Sequence, residues 1–320
     1  MNALATGIAF LLFAAGASIP ADAPPNWAYG TQEAPAPRKP GPRPAPDNSL
    51  KRLPGTTLEF TRQQIGNPFG PADWYPGDHP PMPEIVAHGR KPDIWACALC
   101  HYPNGKGRPE NAGISGLPVS YFIQQMHDFK NGVRKSADPR KQNTKMMIAF
   151  AKAMTEDEIK AAAGYFGSMK WTPWIKVVEA DTVPKTRLSV GMFLPLEGNQ
   201  KEPLGQRIIE MPVNAEATEV LRDPRSGFIA YVPFGSLKKG EALVAAGSCA
   251  VCHGNDLQGL GPVPGIAGRS PSYLARQLYD MQQNARKGEW TELMKPVVSR
   301  LSEEDILNIV AYVSSTEPRP

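Results

Sequence analysis

The sequence predicts a mainly α protein: two copies of one helical domain, joined by a β-rich insert and preceded by a Pro-rich leader. Three observations predict it. First, His101, Gly113, Gly116, Tyr121, Gln125, Asp128, Arg134 and Lys135 reappear 152 residues on as His253, Gly265, Gly268, Tyr273, Gln277, Asp280, Arg286 and Lys287. The offset then becomes 147, carrying Met147 to Met294, Glu156 to Glu303, Ile159 to Ile306 and Tyr165 to Tyr312, so one domain is duplicated with five extra residues in the first copy. Second, each copy ends on a well-signalled helix. Third, proline makes up 34 of 320 residues, about double the usual share of roughly 5%, and the excess lies mainly ahead of the first copy. With 41% hydrophobic and 21% charged residues, the composition excludes collagen, wholesale disorder and a polytopic membrane protein.

Taken in order, residues 3–19 are the longest apolar run, and small-residue cleavage sites follow at Ala15-Gly16-Ala17 and Ala21-Asp22-Ala23. A secretory signal over 1–23 is expected, and with it an exported, periplasmic protein. Retention of the run as an uncleaved anchor stays open, although 17 residues is the short end of a membrane span. Residues 24–54 read as a Pro-rich linker, an extended tether that buries too little surface to offset its ordering entropy. An N-terminal extension, 55–83, holds a short helix over Leu58–Ile65 and a second Pro-rich piece, Asn67–Pro83.

The first helical domain spans 84–171. Its middle helix is expected near Ser120–Lys130. Its last follows the capping box Thr155-Glu156-Asp157-Glu158, with Ile159, Ala162, Ala163 and Phe166 on one face. Gly89 and Pro92 cut its opening helix short, so Leu58–Ile65 is expected to cover the gap. Residues 172–235 form the insert, with strands at Trp174–Val178, Arg207–Ile209 and Phe228–Val232. The second domain, 236–320, repeats the pattern: an opening helix at Leu237–Ala246, a middle helix at Ser272–Gln283, and a last helix behind Ser302-Glu303-Glu304-Asp305.

The four cysteines are too few for a disulfide scaffold. They stand as Cys97-Ala98-Leu99-Cys100-His101 and Cys249-Ala250-Val251-Cys252-His253. C-x-x-C-H is the attachment signature of c-type haem. Two thiols one helical turn apart add to the two vinyl groups of one porphyrin, and the adjacent imidazole then reaches the iron. The competing readings are a thioredoxin-like pair, which wants a preceding strand and a βαβ unit, and a four-cysteine zinc site, which needs neither histidine. Neither accounts for Met147 and Met294, which recur at one distance from the terminal capping box and suit a sixth, thioether ligand. Met146 is the competing neighbour. Two covalently bound haem c groups are therefore expected.

On these residues the chain resembles soluble dihaem cytochromes c made of two tandem class I domains. The resemblance covers about half the chain, and the leader and insert have no counterpart in it. It implies His101/Met147 and His253/Met294 as axial pairs. It also implies that the Pro264 carbonyl in Pro264-Gly265-Ile266-Ala267-Gly268 orients His253. The first copy has Ala112 in that place, so the contact is not carried over to His101.

With both axial positions filled the iron has no place for oxygen or peroxide, and the thioether raises its potential. The chain is thus expected to carry single electrons between redox partners rather than to catalyse. The alternative is a haem-bearing electron-transfer subunit of a periplasmic dehydrogenase or oxidase complex. A dihaem peroxidase needs a displaceable ligand, and a histidine replacing Met147 is the route to one. His79, His88 and His127 do not recur in the second copy and read as surface or hydrogen-bonding histidines. Residues 84–171 carry thirteen Lys/Arg against eight Asp/Glu, whereas 236–316 carry eight of each. Lys130, Arg134, Lys135, Arg140, Lys141 and Lys145 are accordingly expected to ring the first haem and steer an acidic redox partner to it. Nucleic acid is not an expected partner.

Overall fold

The computed structural model describes residues 24–31 and 47–318; the expected export signal, 1–23, lies outside the described residues. The leader is not an extended tether throughout. Asn26–Tyr29 form one helical turn, α1, in which Trp27, Ala28 and Tyr29 are shielded from water. They are the only run of three apolar side chains among the leader's prolines, and they pack with Ile208, Ala230, Tyr279 and Val310. High average proline content concealed them.

α2 is shorter than the Leu58–Ile65 reading, Arg62–Ile65, and starts at a capping box between Thr61 and Gln64. Its Ile65 packs with Leu53, Trp74 and Tyr75, a cluster of its own. It does not replace the first domain's opening helix. That place is taken by α3 (Glu84–Ala87), whose Ile85 and Val86 join the core with Ile159 and Ala163.

The first domain continues with α4 (Cys97–His101), α5 (Val119–Lys130), α6 (Gln142–Ala153) and α7 (Glu156–Gly167). Thr155 and Glu158 cap α7 reciprocally, and Ile159, Ala162, Ala163, Tyr165 and Phe166 form its buried face. α6 goes unread in the sequence because Lys141 makes no side-chain cap and only Ala151 along it is fully buried.

The insert holds β1 (Ile175–Glu179), β2 (Thr182–Pro184), β3 (Thr186–Ser189), β4 (Met192–Pro195), β5 (Lys201–Pro203), β6 (Ile209–Pro212) and β7 (Phe228–Val232). β1 runs parallel to β7 from Ile175↔Phe228 to Glu179↔Val232, and β6 lies antiparallel on β7's other side. β2 pairs with β5 and β3 with β4. β1 starts after Trp174, and β6 starts after Ile208. Both of those side chains are buried in core clusters instead.

The second domain has α8 (Ser236–Ala246), α9 (Cys249–His253), the small ladder β8 (Gly259–Leu260) with β9 (Val263–Pro264), α10 (Pro271–Gln282), α11 (Lys295–Val298) and α12 (Glu303–Ser315). α8 and α12 touch at Gly240, where a Cβ would lie 2.0 Å from the Asn308 carbonyl oxygen. The core of this domain takes in α1 and the insert's Ile208, Ala230 and Val232. Leader and insert thus fold onto the second domain while bridging to the first.

Candidate functional site

Each domain holds an open, apolar-walled cavity, with about 1250 Å³ of space in the first and about 1490 Å³ in the second when the solvent at the opening is included. Cys97, Cys100, His101 and Met147 line the first; Cys249, Cys252, His253 and Met294 line the second. Residues 46 and 41 positions apart in sequence are thereby brought to one cavity each. Met146 does not line the first cavity, nor do His79, His88 and His127. His79 pairs with Asp73 at 3.1 Å and His127 with Glu156 at 2.8 Å.

Each one-and-a-half-turn helix α4 or α9 puts its two thiols and its imidazole along one cavity. The imidazoles are fixed alike. His101 Nδ1 lies 2.9 Å from the Ala112 carbonyl oxygen, and His253 Nδ1 lies 2.8 Å from that of Pro264. A carbonyl can only accept, so Nδ1 carries the proton and Nε2 keeps its lone pair for a metal. The expectation that Ala112 breaks this contact is corrected: the contact is made by backbone, and either side chain allows it. Burial lowers the pKa of both histidines, against the raising effect of the carbonyl bond, which favours the neutral ligand form. Burial also pushes the Cys97 thiol up to about 12 and raises Cys100 and Cys249. These are protonated thiols at neutral pH, unlike the low-pKa cysteine of a thioredoxin-like pair. The two pairs line separate cavities, so they do not converge on one four-cysteine metal centre.

The cavities share a wall. Tyr273, Arg276, Gln277 and Asp280 of the second domain line the first cavity, and Gly113, Leu117 and Tyr121 of the first domain line the second. Where they meet, a buried knot forms from repeated residues. Arg134 donates to Gln125 (2.9 Å), Gln277 (3.0 Å) and Tyr273 (3.1 Å). Arg286 answers with Gln277 (3.0 Å), Gln125 (2.8 Å) and Tyr121 (2.8 Å). Backbone bonds from Lys135 to Ala285 and from Lys287 to Val133 close it.

This knot takes two residues out of the expected basic ring. Arg134 and Lys141 are buried. Lys141 donates to the Tyr29 carbonyl at 3.0 Å, and burial followed by the nearby Arg276 charge brings its pKa down to about 7. Arg140 binds Asp138 at 2.8 Å and Asn26 at 3.2 Å, tying α1 to the first domain. Arg134 and Lys141 are thus used inside the molecule, where the second domain and the leader cover them, whereas Lys135 and Lys145 stay exposed.

The sequence profile of the family described as Cytochrome c matches residues 92–170 and 237–317, half of the chain. The chain belongs to the cytochrome c family. It is 44% identical over 72 residues, 22% of this chain and 87% of the relative, to cytochrome c-554(548) of Halomonas halodenitrificans. It is 24% identical over 221 residues, 68% of this chain and 82% of the relative, to cytochrome c4 of Pseudomonas aeruginosa. It is 22% identical over 231 residues, 71% and 82% of the two chains, to the thiosulfate dehydrogenase electron acceptor of Stutzerimonas stutzeri. Among solved structures, reduced recombinant cytochrome c4 from Pseudomonas stutzeri aligns over 69% of this chain and 93% of its own, at 19% identity and a TM-score of 0.45.

The chain is thus a dihaem electron-transfer cytochrome with two class I domains and two covalently bound haem c groups. The cavities fit that group. Their walls are mainly apolar, each offers two thiols and a neutral imidazole, and unpartnered donors in their walls would suit the acidic edge of a haem. Arg286 Nε, which lines no acceptor among the described residues, and Ser136 Oγ, equally without a partner there, are buried at the second and first cavity respectively.

Proposed function

We propose that this chain carries single electrons between redox proteins in the periplasm. Cys97, Cys100, Cys249 and Cys252 would hold the two groups as thioethers, and His101 with Met147 and His253 with Met294 would ligate their irons. The observation that carries this reading is that each cavity is bracketed by a CxxCH helix and a methionine. Other methionines line the cavities too: Met126 and Met154 the first, Met281 the second. By the repeat they correspond to Leu278, Leu301 and Phe129. Met147 and Met294 are the one pair that is methionine in both copies.

Bound there, haem iron supplies reversible one-electron chemistry between ferrous and ferric states. The chain's own part is to exclude water with apolar walls, to orient each imidazole through a carbonyl, and to offer a soft thioether as a further ligand in the same cavity. That leaves no position for a substrate, which supports a carrier rather than an enzyme. The relatives' names support a dehydrogenase as one redox partner. No described helix is long and apolar enough to cross a membrane, and export rests on the apolar run at 3–19.

The test is direct. The intact mass should exceed the polypeptide by two haems, with Cys252→Ala impairing attachment in the second domain. Both irons should be low-spin; Met294→His should keep six ligands and lower that midpoint, since imidazole stabilises ferric iron more than thioether does. A Met147→Ala variant with an unchanged first-haem spectrum sinks the ligand assignment.

A further inference from the structure

Leader and insert close over one lysine of the first domain. Lys141 immediately precedes α6 and is buried, and its side chain lines the first cavity. Its ammonium donates to the Tyr29 carbonyl of α1 at 3.0 Å and makes no ion pair among the described residues. The turn between β3 and β4 also lies against it, for a Cβ on Gly191 would stand 3.4 Å from Nζ.

The carboxylates around Lys141 already have partners. Glu110, buried in the same cavity wall, pairs with Arg108 at 2.7 Å, and Asp138 pairs with Arg140 at 2.8 Å. Asp280 accepts from the Tyr29 hydroxyl at 2.8 Å and from the Ala137 amide at 2.7 Å, with the Arg276 charge beside it. α10 thus presents Arg276 and Asp280, the loop after α4 Arg108 and Glu110, the loop before α6 Asp138 and Arg140, and α1 the Tyr29 phenol; the turn at Gly191 brings no titratable group. Among the described residues four cations meet three carboxylates, and Lys141 is the cation left over. It is also the one of the four that can give up a proton near neutral pH, since a guanidinium stays charged. Burial, followed by the Arg276 charge, brings its pKa down to about 7.

The second cavity has no equivalent. Under the two offsets Lys141 falls on Leu293 or Gly288, while Glu110 falls on Pro262 and Arg108 on Leu260. The charged side chains lining that cavity are Arg269 and Arg286.

We propose that Lys141 takes up a proton when the haem of the first domain is reduced and releases it on oxidation, so that this domain carries a proton with its electron while the second carries an electron alone. The electron comes from the redox partner and enters the iron. The proton comes from water and converts the Lys141 amine to an ammonium, so the charge of the cavity as a whole does not change. An electron added in a low-dielectric cavity favours the ammonium in its wall. By reciprocity the ammonium favours the reduced iron. Lys141 acts through its charge and not as a ligand. The inference rests on the carrier reading above.

The holoprotein is titrated potentiometrically at a series of pH values and fitted as two one-electron steps. One midpoint should fall by about 59 mV in all as pH rises from about 6 to about 9, the equivalent of about a tenfold difference in proton affinity between the oxidation states. The other midpoint should stay level. Lys141→Met should hold the moving midpoint at its alkaline value throughout, and Lys141→Arg, whose charge is not lost, should hold it at its acidic value. A second measurement reads the wild type directly. The carbon resonance of the Lys141 ε-methylene, assigned from its own backbone amide, should titrate near neutral pH and about one pH unit higher in the reduced protein than in the oxidised. A pH-dependent midpoint that survives in Lys141→Met belongs to the haem's own carboxylates and overturns the inference. So does a Lys141 resonance that titrates at the same pH in both oxidation states, as do two midpoints that ignore pH. If both haems cycle reversibly while any of these holds, only the proton coupling is wrong; if they do not cycle, the carrier reading falls and this inference with it.

Discussion

At the residue scale, the positions that matter most are those where one atom decides a contact. Gly240 is the clearest. α8 and α12 approach so closely there that a Cβ would sit 2.0 Å from the Asn308 carbonyl oxygen and 2.7 Å from Tyr312 Cβ. Both neighbours are on one helix, and the first is backbone, so neither can turn aside. Gly240→Ala should therefore force the helices apart and destabilise the second domain by about 1–3 kcal/mol, read as a lowered Tm with the first domain's haem spectrum unchanged. Asp138 is a second case, because it accepts from Thr31 at 2.7 Å and from Arg140 at 2.8 Å. Burial alone would raise its pKa, yet the bonds from Arg140 and Thr31 hold it down to about 2. The carboxylate is thus more acidic folded than in an unfolded chain, where it titrates near 3.9. Its contribution is complete above about pH 4 and is lost as pH falls through about 2.

At the scale of elements, the consequence of Asp138 is felt by α1. This single turn is too short to be helical alone and depends on what it touches. Tyr29 donates to Asp280 at 2.8 Å, and Arg276 donates to the Ala28 carbonyl at 2.6 Å. Gly30, at φ 58°, passes so close to Gly191 that a Cβ would meet its carbonyl oxygen at 2.4 Å. The turn is a strap across both domains and the insert. The protection of the amides of residues 26–31, relative to an unfolded chain at the same pH, should fall as pH drops from about 4 toward about 2, the window in which the stabilisation from Asp138 is lost. Asp138→Asn should produce the same loss of protection at neutral pH. Equal protection at both pH values and in the variant would show that Trp27 and Tyr29 hold the strap without it. Elements also differ between copies: Met147 lies within the twelve-residue α6, whereas Met294 immediately precedes the four-residue α11. The five extra residues of the first copy lengthen the helix that carries its methionine.

At the scale of the molecule, a buried polar knot joins the two domains beside aromatic contacts such as that of Tyr121 with Trp290. Arg134 and Arg286 share the carbonyl oxygens of Gln125 and Gln277, and both guanidiniums are buried. Removing Arg134 leaves each glutamine oxygen one donor, from Arg286, and takes the guanidinium from the Tyr273 phenol, which costs about 1–3 kcal/mol. Arg134→Met should thus separate domain unfolding into two calorimetric transitions. Arg286→Met in the same background should cost more than it does alone, with a coupling of about 1 kcal/mol or more, because only the double removal leaves the Gln125 and Gln277 oxygens without a donor from either arginine. Strict additivity would mean that the two arginines do not act as one unit and that other contacts, such as Arg269 with the Gly113 and Ser115 carbonyls, hold the domains together.

The sequence by itself determined what neighbours in the chain can encode. CxxCH is five residues long, a capping box four, and the duplication shows at two fixed offsets. The cofactor, the helices that close each domain and the candidate ligands follow from these. What the repeated Tyr121, Gln125 and Arg134 are for did not follow, since no period in one dimension says that Arg134 will meet Gln277. Only the tertiary structure decided that these residues join the domains and that Lys141 is buried under α1 and the insert. The physical reason is that burial is a property of a place in the fold. A lysine or a valine has the same identity on an open surface and beneath another domain, and the packing of distant segments assigns it to one or the other.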